Sequence, residues 1–231
     1  MSISKKIEEL QKKINSIDVK LIAVSKTKPI EDIQEAYDAG QRDFGENIVQ
    51  EIERKKDELP QDINWHMIGH LQRNKVKYIA PYITMIHSVD SLRLLKEINK
   101  EAKKNDRIID VLLQVHIATE DTKNGFDHSE LIETLRDDAY LKLKNIQVRG
   151  LMGMATFTDN EKVVKEEFYE LKMLFDGLGK SFFKDQGSFN VLCMGMSSDY
   201  TIAIQQGSNM VRIGSTIFGG RDTPNKDENA K

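Results

Sequence analysis

A lysine at the end of an apolar run is the first residue whose type and place suit covalent chemistry. Lys26 follows the run LIAV (21–24) within the segment AVSKTKP (23–29). An amine beside apolar strand residues is partly desolvated, which lowers its pKa and frees it as a nucleophile. This suits Schiff-base formation with a carbonyl compound, and a solvated lysine leading into the next helix is the alternative. Lys28 lies beyond the strand, before Pro29, and is the weaker candidate.

Two later segments combine glycines with hydroxyl groups, a pattern that suits anion binding. Residues 193–199 (CMGMSSD) follow an apolar run and precede a predicted helix, and residues 211–220 read VRIGSTIFGG. Backbone N–H groups and serine hydroxyls at a helix N-terminus bind phosphate groups. Two ordinary helix N-caps and a C-terminal turn are the alternative. The conjunction with Lys26 favours a phosphate-bearing ligand.

Arg212 and Asn47 are polar residues with two interpretations each. Arg212 lies inside the last predicted strand and needs a partner, because a buried, unpaired guanidinium is costly. That partner is either a carboxylate such as Asp199 or a nitrogen atom of a ligand. Asn47 either caps the helix predicted to begin at Ile48 or reaches a ligand, and capping is the favoured interpretation.

The remaining candidates favour structural roles. His66 and His70 are four residues apart, which on a helix would suggest a metal pair, but WHMIG (65–69) is a strand pattern. We therefore predict no metal site and a hydrogen-bonded, structural His66. Cys193 is predicted to be a small core residue. The charge-rich run 53–58 (ERKKDE) is predicted to be a solvated helix face.

Short apolar runs alternate with amphipathic stretches and define the elements that must position these residues. The predicted strands cover residues 20–25, 42–44, 65–68, 83–88, 109–117, 147–152, 191–194 and 210–213. The predicted helices include an N-terminal one, with isoleucine or leucine at positions 3, 7, 10 and 14, and residues 30–39, 48–56, 91–103, 129–138 and 161–178. Eight β/α units predict an α/β fold, a single (β/α)8 TIM barrel with an extra N-terminal helix, and a doubly wound open sheet is the competitor. Glycines follow several strands, at positions 45, 69, 153, 195 and 214, where a barrel builds its binding site.

Composition excludes several classes of protein. The 231 residues are 39% hydrophobic and carry a net charge of -3, which indicates a folded chain without a basic field for nucleic acid or an anionic membrane. One cysteine excludes a disulfide framework within the chain. No apolar run approaches the roughly 20 residues of a membrane helix, and the N-terminus lacks the apolar core of a signal peptide. We expect one domain over residues 1–222, a disordered tail over residues 223–231 and a cytoplasmic location.

Together these motifs resemble those of the pyridoxal-phosphate homeostasis proteins (the YggS/PROSC family), which are related to the N-terminal barrel domain of alanine racemase. The resemblance rests on AVSKTKP (23–29), FGENIVQE (44–51), WHMIGHLQRNK (65–75), SVDS (88–91), KNGF (123–126), RGLMGM (149–154), CMGMSSDY (193–200) and VRIGSTIFG (211–219). It covers nearly the whole chain, from about residue 22 to residue 220. Family members commonly carry serine where this chain has Cys193, a departure that bears on strand packing.

The resemblance implies a barrel that binds pyridoxal 5′-phosphate (PLP) as an internal aldimine. The family's Schiff-base lysine aligns on Lys26, and the arginine that faces the pyridine nitrogen aligns on Arg212. The phosphate-binding elements align on Met196, Ser197, Ser198, Gly214 and Ser215. Asn47 lies in the segment near the cofactor. A protonated arginine only donates hydrogen bonds, so the ring nitrogen stays unprotonated and the cofactor is a poorer electron sink.

The implied function is cofactor buffering or delivery in intracellular vitamin B6 homeostasis, without assigned catalytic residues. Racemases of this fold type place a further acid/base group on a second domain, and few residues follow the predicted barrel here. The implied partners are PLP and the apo-forms of PLP enzymes, with no nucleic acid and no membrane. We expect a monomer, because a barrel closes its own sheet.

Two alternatives stay open. One is a PLP-dependent racemase, lyase or transaminase acting on a small amino acid, with Tyr200 and Cys193 as acid/base candidates. The other is a barrel that binds a different phosphate compound, in which Lys26 is structural.

Overall fold

Eight parallel strands pair in chain order and close into a barrel, which confirms the predicted fold class. The computed structural model describes residues 1–15, 17–119 and 124–220, so the predicted tail lies outside the described residues. The strands are β1 (Lys20–Val24), β2 (Asp43–Glu46), β3 (Asn64–Met67), β4 (Met85–Val89), β5 (Ile109–Gln114), β6 (Ile146–Met152), β7 (Val191–Cys193) and β8 (Met210–Ile213). Strand β1 pairs with both β2 and β8, which excludes the open sheet.

Helices cover the outside of the barrel and follow the strands in the predicted alternation. They are α1 (Ile3–Asn15), α2 (Ile30–Asp38), α3 (Val49–Glu58), α4 (Val76–Ile79), α5 (Leu92–Lys104), α6 (His128–Arg136), α7 (Asp138–Leu141), α8 (Glu161–Lys180), α9 (Tyr200–Gln205) and α10 (Ser215–Phe218), with a short 3-10 helix at Arg73–Lys75. The extra helix α1 buries Ile7, Leu10 and Ile14 and packs against α2 and α10. None of the described helices is both long enough and apolar enough to span a membrane.

Side chains alternate along each strand between the barrel interior and the layer beneath the helices. A small apolar cluster fills the interior and consists of Ile22, Met85, Leu112, Met152, Cys193 and Met210. The predicted core position of Cys193 is therefore confirmed. Its burial raises the pKa of the thiol to about 11, so the thiol stays protonated at neutral pH.

A column of polar side chains runs beside this cluster. His66 Nε2 lies 2.9 Å from Asp43 Oδ1, and His66 Nδ1 lies 2.9 Å from His87 Nε2. The Sγ atom of Cys193 lies 3.6 Å from His87 Nδ1. An ionised Asp43 only accepts, so each group in the column donates toward Asp43. Burial lowers the pKa of both histidines, and the hydrogen bonding predicted for His66 is confirmed.

Candidate functional site

A cavity of about 580 Å³ opens at the end of the barrel where the strands finish. Loops that follow β1, β2, β3, β6, β7 and β8 contribute to its wall. All the site residues named from the sequence line it, namely Lys26, Asn47, Met196, Ser197, Ser198, Arg212, Gly214 and Ser215. Because these residues come from four separate loops or strands, only the closed barrel brings them together.

The two lysines of the first loop take different places in a tight turn. Strand β1 ends at Val24, and the N–H group of Lys28 then donates to the carbonyl oxygen of Ser25 over 3.1 Å. Lys26 therefore occupies the second position of a four-residue turn at the cavity wall. The Nζ atom of Lys28 donates to the carbonyl oxygen of Gly220 over 2.9 Å, which directs that ammonium group toward the end of the described chain.

Arg212 on β8 is the most unusual group in the cavity. Its side chain is 4% exposed, and its Nε and Nη2 atoms are buried without a hydrogen-bond partner. The predicted alternative of an ion pair with Asp199 is wrong, because Arg212 forms no ion pair with any carboxylate of the described residues. Asp199 Oδ1 accepts from the N–H group of Met196 over 2.6 Å. Burial raises the pKa of Asp199, although Arg212 acts against this. Arg212 thus lines the cavity with a guanidinium that has unused hydrogen-bond donors.

Ser197 joins the two loops predicted to hold an anion. Its Oγ atom accepts from the N–H group of Gly214 over 3.2 Å and from the N–H group of Thr216 over 3.4 Å. With its oxygen used as an acceptor, the hydroxyl proton is available to a ligand. Helix α9 begins at Tyr200, so Ser197 and Ser198 precede the helix rather than opening it, and Asp199 is the N-cap residue.

Asn47 lines the cavity and does not cap a helix. Strand β2 runs through Glu46, helix α3 begins at Val49, and its N-cap is Ile48 without a side-chain cap, so the predicted capping role is wrong. The loop that follows β3 approaches Asn47 closely at Gly69. A Cβ atom added to Gly69 would lie 2.4 Å from the carbonyl oxygen of Asn47, so this position requires glycine.

Several lining residues were not named as site residues from the sequence. They are His70, Gln114, Asn124, Met154, Phe157 and Thr27, and Lys28, the weaker of the two lysine candidates, lines the cavity as well. Most follow the end of a strand, which is the signal by which the rim of a parallel barrel can be found. Phe157 is 86% exposed, so the cavity wall has an apolar, solvent-facing edge on the β6 side.

A buried charge cluster, formed by Glu46, Glu51 and Lys55, lies behind Lys26 and was not identified from the sequence. The Nζ atom of Lys55 donates to Glu46 Oε1 over 2.7 Å, to Glu51 Oε2 over 2.9 Å and to the carbonyl oxygen of Ser25 over 2.9 Å. Lys55 is fully buried, so the predicted solvated face is wrong at this residue. The Oγ atom of Ser25 donates to Glu46 Oε1 over 2.6 Å. Burial raises the pKa of Glu46 to about 7, although Lys55 acts against it.

We expect Glu46→Gln to flatten the pH dependence of stability between about pH 4.5 and pH 7. In this range the folded chain keeps a proton on Glu46 that the unfolded chain, with its ordinary pKa of 4.5, releases. This contribution is fully present below pH 4.5 and is lost as the pH rises through 7, on the order of 3 kcal/mol. Urea unfolding at several pH values measures it, with Glu58→Gln on the exposed end of α3 as the control. A Glu46→Gln chain with the wild-type slope would contradict the prediction.

The acid/base candidates of the enzyme alternative lie away from the cavity. The hydroxyl oxygen of Tyr200 accepts from the Nζ atom of Lys13 over 3.0 Å, at the outer helix α1. Cys193 is enclosed in the barrel interior with a protonated thiol. Neither residue is among those that line the cavity.

The chain is similar to known proteins over most of its length. Residues 1–222 match the family model described as "Alanine racemase, N-terminal domain". A "Pyridoxal phosphate homeostasis protein" of Aquifex aeolicus is 41% identical over 207 residues, 87% of each chain. Its namesake in Pasteurella multocida is 38% identical over 207 residues, 88% of this chain and 87% of that one. The solved structure of PipY from Synechococcus elongatus PCC7942 with PLP bound has a TM-score of 0.85 and 34% identity, and the match covers 94% of this chain and 100% of that chain.

Proposed function

Because the chain belongs to the pyridoxal phosphate homeostasis proteins of the alanine racemase N-terminal domain family, we propose that it binds pyridoxal 5′-phosphate. Lys26 holds the cofactor as a Schiff base, and the chain buffers or delivers it in vitamin B6 homeostasis. The observation that carries the proposal is Arg212, which lines the same cavity as Lys26 and whose guanidinium is buried with two nitrogens that have no hydrogen-bond partner.

The lining residues match the chemistry of each part of the cofactor. An aldehyde needs an amine, which Lys26 supplies, and a pyridine nitrogen needs a donor, which Arg212 supplies. A phosphate needs N–H and O–H donors, and Ser197, Ser198 and Ser215 on the cavity wall offer both kinds, whereas the N–H groups of Met196 and Gly214 are used within the two loops. When bound, the cofactor supplies an electrophilic carbonyl group and an electron-withdrawing ring.

Arg212 favours a carrier over a catalyst. Its guanidinium stays protonated and donates, so it holds no proton to give to a ring nitrogen. A carbanion next to an unprotonated pyridine ring is weakly stabilised, and catalysis then depends on a well-placed acid/base group. Tyr200 and Cys193, the candidates for that group, lie outside the cavity. Buffering or delivery needs only binding and release.

The proposal extends to the location, the domain extent, the partners and the oligomeric state of the chain. The chain acts in the cytoplasm, with residues 1–222 as one domain, and it passes the cofactor to the apo-forms of PLP enzymes. It acts as a monomer, and closure of the barrel supports this because none of the eight described strands has a free edge to pair with a second chain.

The test of binding is an absorbance spectrum of the purified chain given PLP, followed by borohydride reduction and peptide mapping. We expect a yellow band, and after reduction a pyridoxyl group fixed on Lys26. A colourless chain without an adduct would overturn the proposal and would favour the alternative of a barrel that binds a different phosphate compound. Delivery is tested by mixing the loaded chain with an apo-enzyme. Transfer no faster than release of free cofactor would leave buffering as the function.

A further inference from the structure

The turn that carries Lys26 has a strained residue. Thr27 has a φ of +64°, in the left-handed region where β-branched residues are genuine outliers. It occupies the third position of the turn from Ser25 to Lys28, where a positive φ normally goes with glycine or asparagine. Such a conformation persists only when surrounding contacts hold it. Contacts with other residues must therefore hold Thr27 in this backbone conformation, which its own conformational preference disfavours.

The buried charge cluster supplies those contacts on both sides of Lys26. Glu51 Oε2 accepts from the N–H group of Thr27 over 2.9 Å. On the other side, the carbonyl and hydroxyl of Ser25 are bonded to Lys55 and Glu46 respectively. The same carbonyl closes the turn by accepting from the N–H group of Lys28. The two residues that flank Lys26 are thus both bonded to one cluster.

The three charged residues of the cluster do not line the cavity. Lys55 and Glu46 are both fully buried, and their direct bond of 2.7 Å ties helix α3 to strand β2. Glu46, Glu51 and Lys55 lie behind the cavity wall and are not among the lining residues, whereas residues 26–28 are. The cluster therefore contacts the cavity wall through its hydrogen bonds to the turn, at Ser25 and Thr27.

We propose that Glu46, Glu51 and Lys55 are positioning residues that fix the turn so that Lys26, and not Lys28, reacts with the carbonyl ligand. This inference rests on the proposed function. In the reaction the unprotonated Nζ attacks the carbonyl carbon, a C=N bond forms, and the carbonyl oxygen leaves as water with the two amine protons. The attack needs near-ideal placement of the nitrogen, and a misplacement of about 1 Å costs on the order of a hundredfold in rate.

Lys28 makes the inference measurable, because it is a second amine in the same cavity. In the native turn its ammonium is bonded to the carbonyl oxygen of Gly220. A turn released from the cluster changes the relative placement of the two amines. The share of reduced adduct on each lysine therefore reports the orientation of the turn, which a loss of overall stability alone would not change.

The experiment compares Glu51→Leu with Glu51→Gln and with the control Glu58→Leu, which lies on the exposed end of the same helix. Leucine removes the acceptor for the Thr27 N–H group, whereas glutamine keeps an oxygen there. Each chain receives PLP, the rise of the yellow band is timed, and borohydride-fixed peptides are mapped. We expect Glu51→Leu to slow adduct formation by about tenfold or more and to move part of the label to Lys28. Glu51→Gln should form the adduct at a rate much closer to that of wild type, and Glu58→Leu should form it at the wild-type rate.

Two further variants separate positioning from loss of structure. Lys55→Met removes the bond to the Ser25 carbonyl and should act in the same direction as Glu51→Leu. Adding Thr27→Gly to Glu51→Leu should restore much of the rate, because glycine adopts a positive φ without help. If Lys55→Met fails to fold, the comparison of Glu51→Leu with Glu51→Gln decides the test.

The outcomes distinguish this inference from the proposed function. A wild-type chain that forms the Lys26 adduct, with Glu51→Leu forming it at the same rate and without label on Lys28, would overturn the positioning role alone. A slow Glu51→Leu chain that Thr27→Gly does not rescue would also overturn it. A wild-type chain without any adduct would overturn the proposed function, and the inference with it.

Discussion

The Lys26→Ala chain is expected to form no borohydride-fixed pyridoxyl adduct at position 26 and to stay colourless with PLP. The alanine removes the one amine that the turn from Ser25 to Lys28 places at its second position on the cavity wall. The proposed contacts to the phosphate and the ring are unchanged, so binding should weaken rather than vanish. We expect affinity to fall by on the order of a hundredfold, equivalent to about 2.7 kcal/mol. Equilibrium dialysis with PLP and peptide mapping after reduction measure the two effects.

Lys28→Ala is the matched control, because it removes a cavity amine of the same kind two residues away. Its Nζ atom is bonded to the Gly220 carbonyl, so we expect the yellow band and the Lys26 adduct to persist. Circular dichroism and urea unfolding check that both chains fold. Retention of the yellow band by Lys26→Ala, or its loss only in Lys28→Ala, would mean that the reactive amine has been wrongly assigned.

The barrel was predictable because its strands are short apolar runs that differ in period from the helices around them. All eight predicted strands overlap an observed one, and the differences lie at the ends, where β2 begins at Asp43 and extends to Glu46. This extension delays helix α3 to Val49, and it is why the capping role of Asn47 failed. Local sequence patterns predict that a strand or helix exists, whereas its end residues also depend on neighbouring strands.

Assembly of the cavity was also predictable, because strand ends in a parallel barrel meet at one rim. The partner of Arg212 was not predictable from position alone. Asp199 is close in sequence to the predicted anion-binding segment and carries the right charge, but its Oδ1 atom accepts from the Met196 N–H group, and Nε and Nη2 of Arg212 have no hydrogen-bond partner. A carboxylate can accept from several donors. The loop geometry decides which of them it meets, and the spacing of residues in the sequence does not define that geometry.

The burial of Lys55 was beyond the reach of the sequence pattern. Glu51 and Lys55 are four residues apart, a spacing that usually marks a solvent-exposed ion pair on a helix surface. What draws this pair inside is Glu46 on β2, whose carboxylate meets Lys55 behind the first loop. The deciding residue belongs to another element, so the helix alone could not reveal the cluster.

In the proposed function, burial of Arg212 destabilises the ligand-free chain, and its hydrogen bond to the ligand strengthens binding. The guanidinium is buried, and two of its nitrogens have no hydrogen-bond partner. A buried charge without compensation destabilises a fold, and its replacement by an apolar side chain of similar length is often neutral or stabilising. Binding sites commonly keep such unfavourable groups because the ligand satisfies them.

We therefore expect Arg212→Met to have opposite effects on stability and on binding. The free energy of unfolding of the ligand-free chain should rise by about 1–3 kcal/mol, because an unpaired buried charge is removed. Affinity for PLP should fall by on the order of a hundredfold, because the donor to the ring nitrogen is lost. Lys26 and its turn are untouched, so the adduct should still form at high PLP concentration. Urea unfolding without ligand and titration of the yellow band measure the two quantities.

Arg54→Met is the control for Arg212→Met, because it removes the same charge from an exposed position on α3. Its stability should stay within about 0.5 kcal/mol of wild type, with unchanged PLP affinity. An Arg212→Met chain that is less stable than wild type without ligand would show that the guanidinium has a structural role. Unchanged affinity would show that it does not meet the ligand. Only a gain in stability together with a loss of affinity fits a guanidinium kept in place for a ligand atom.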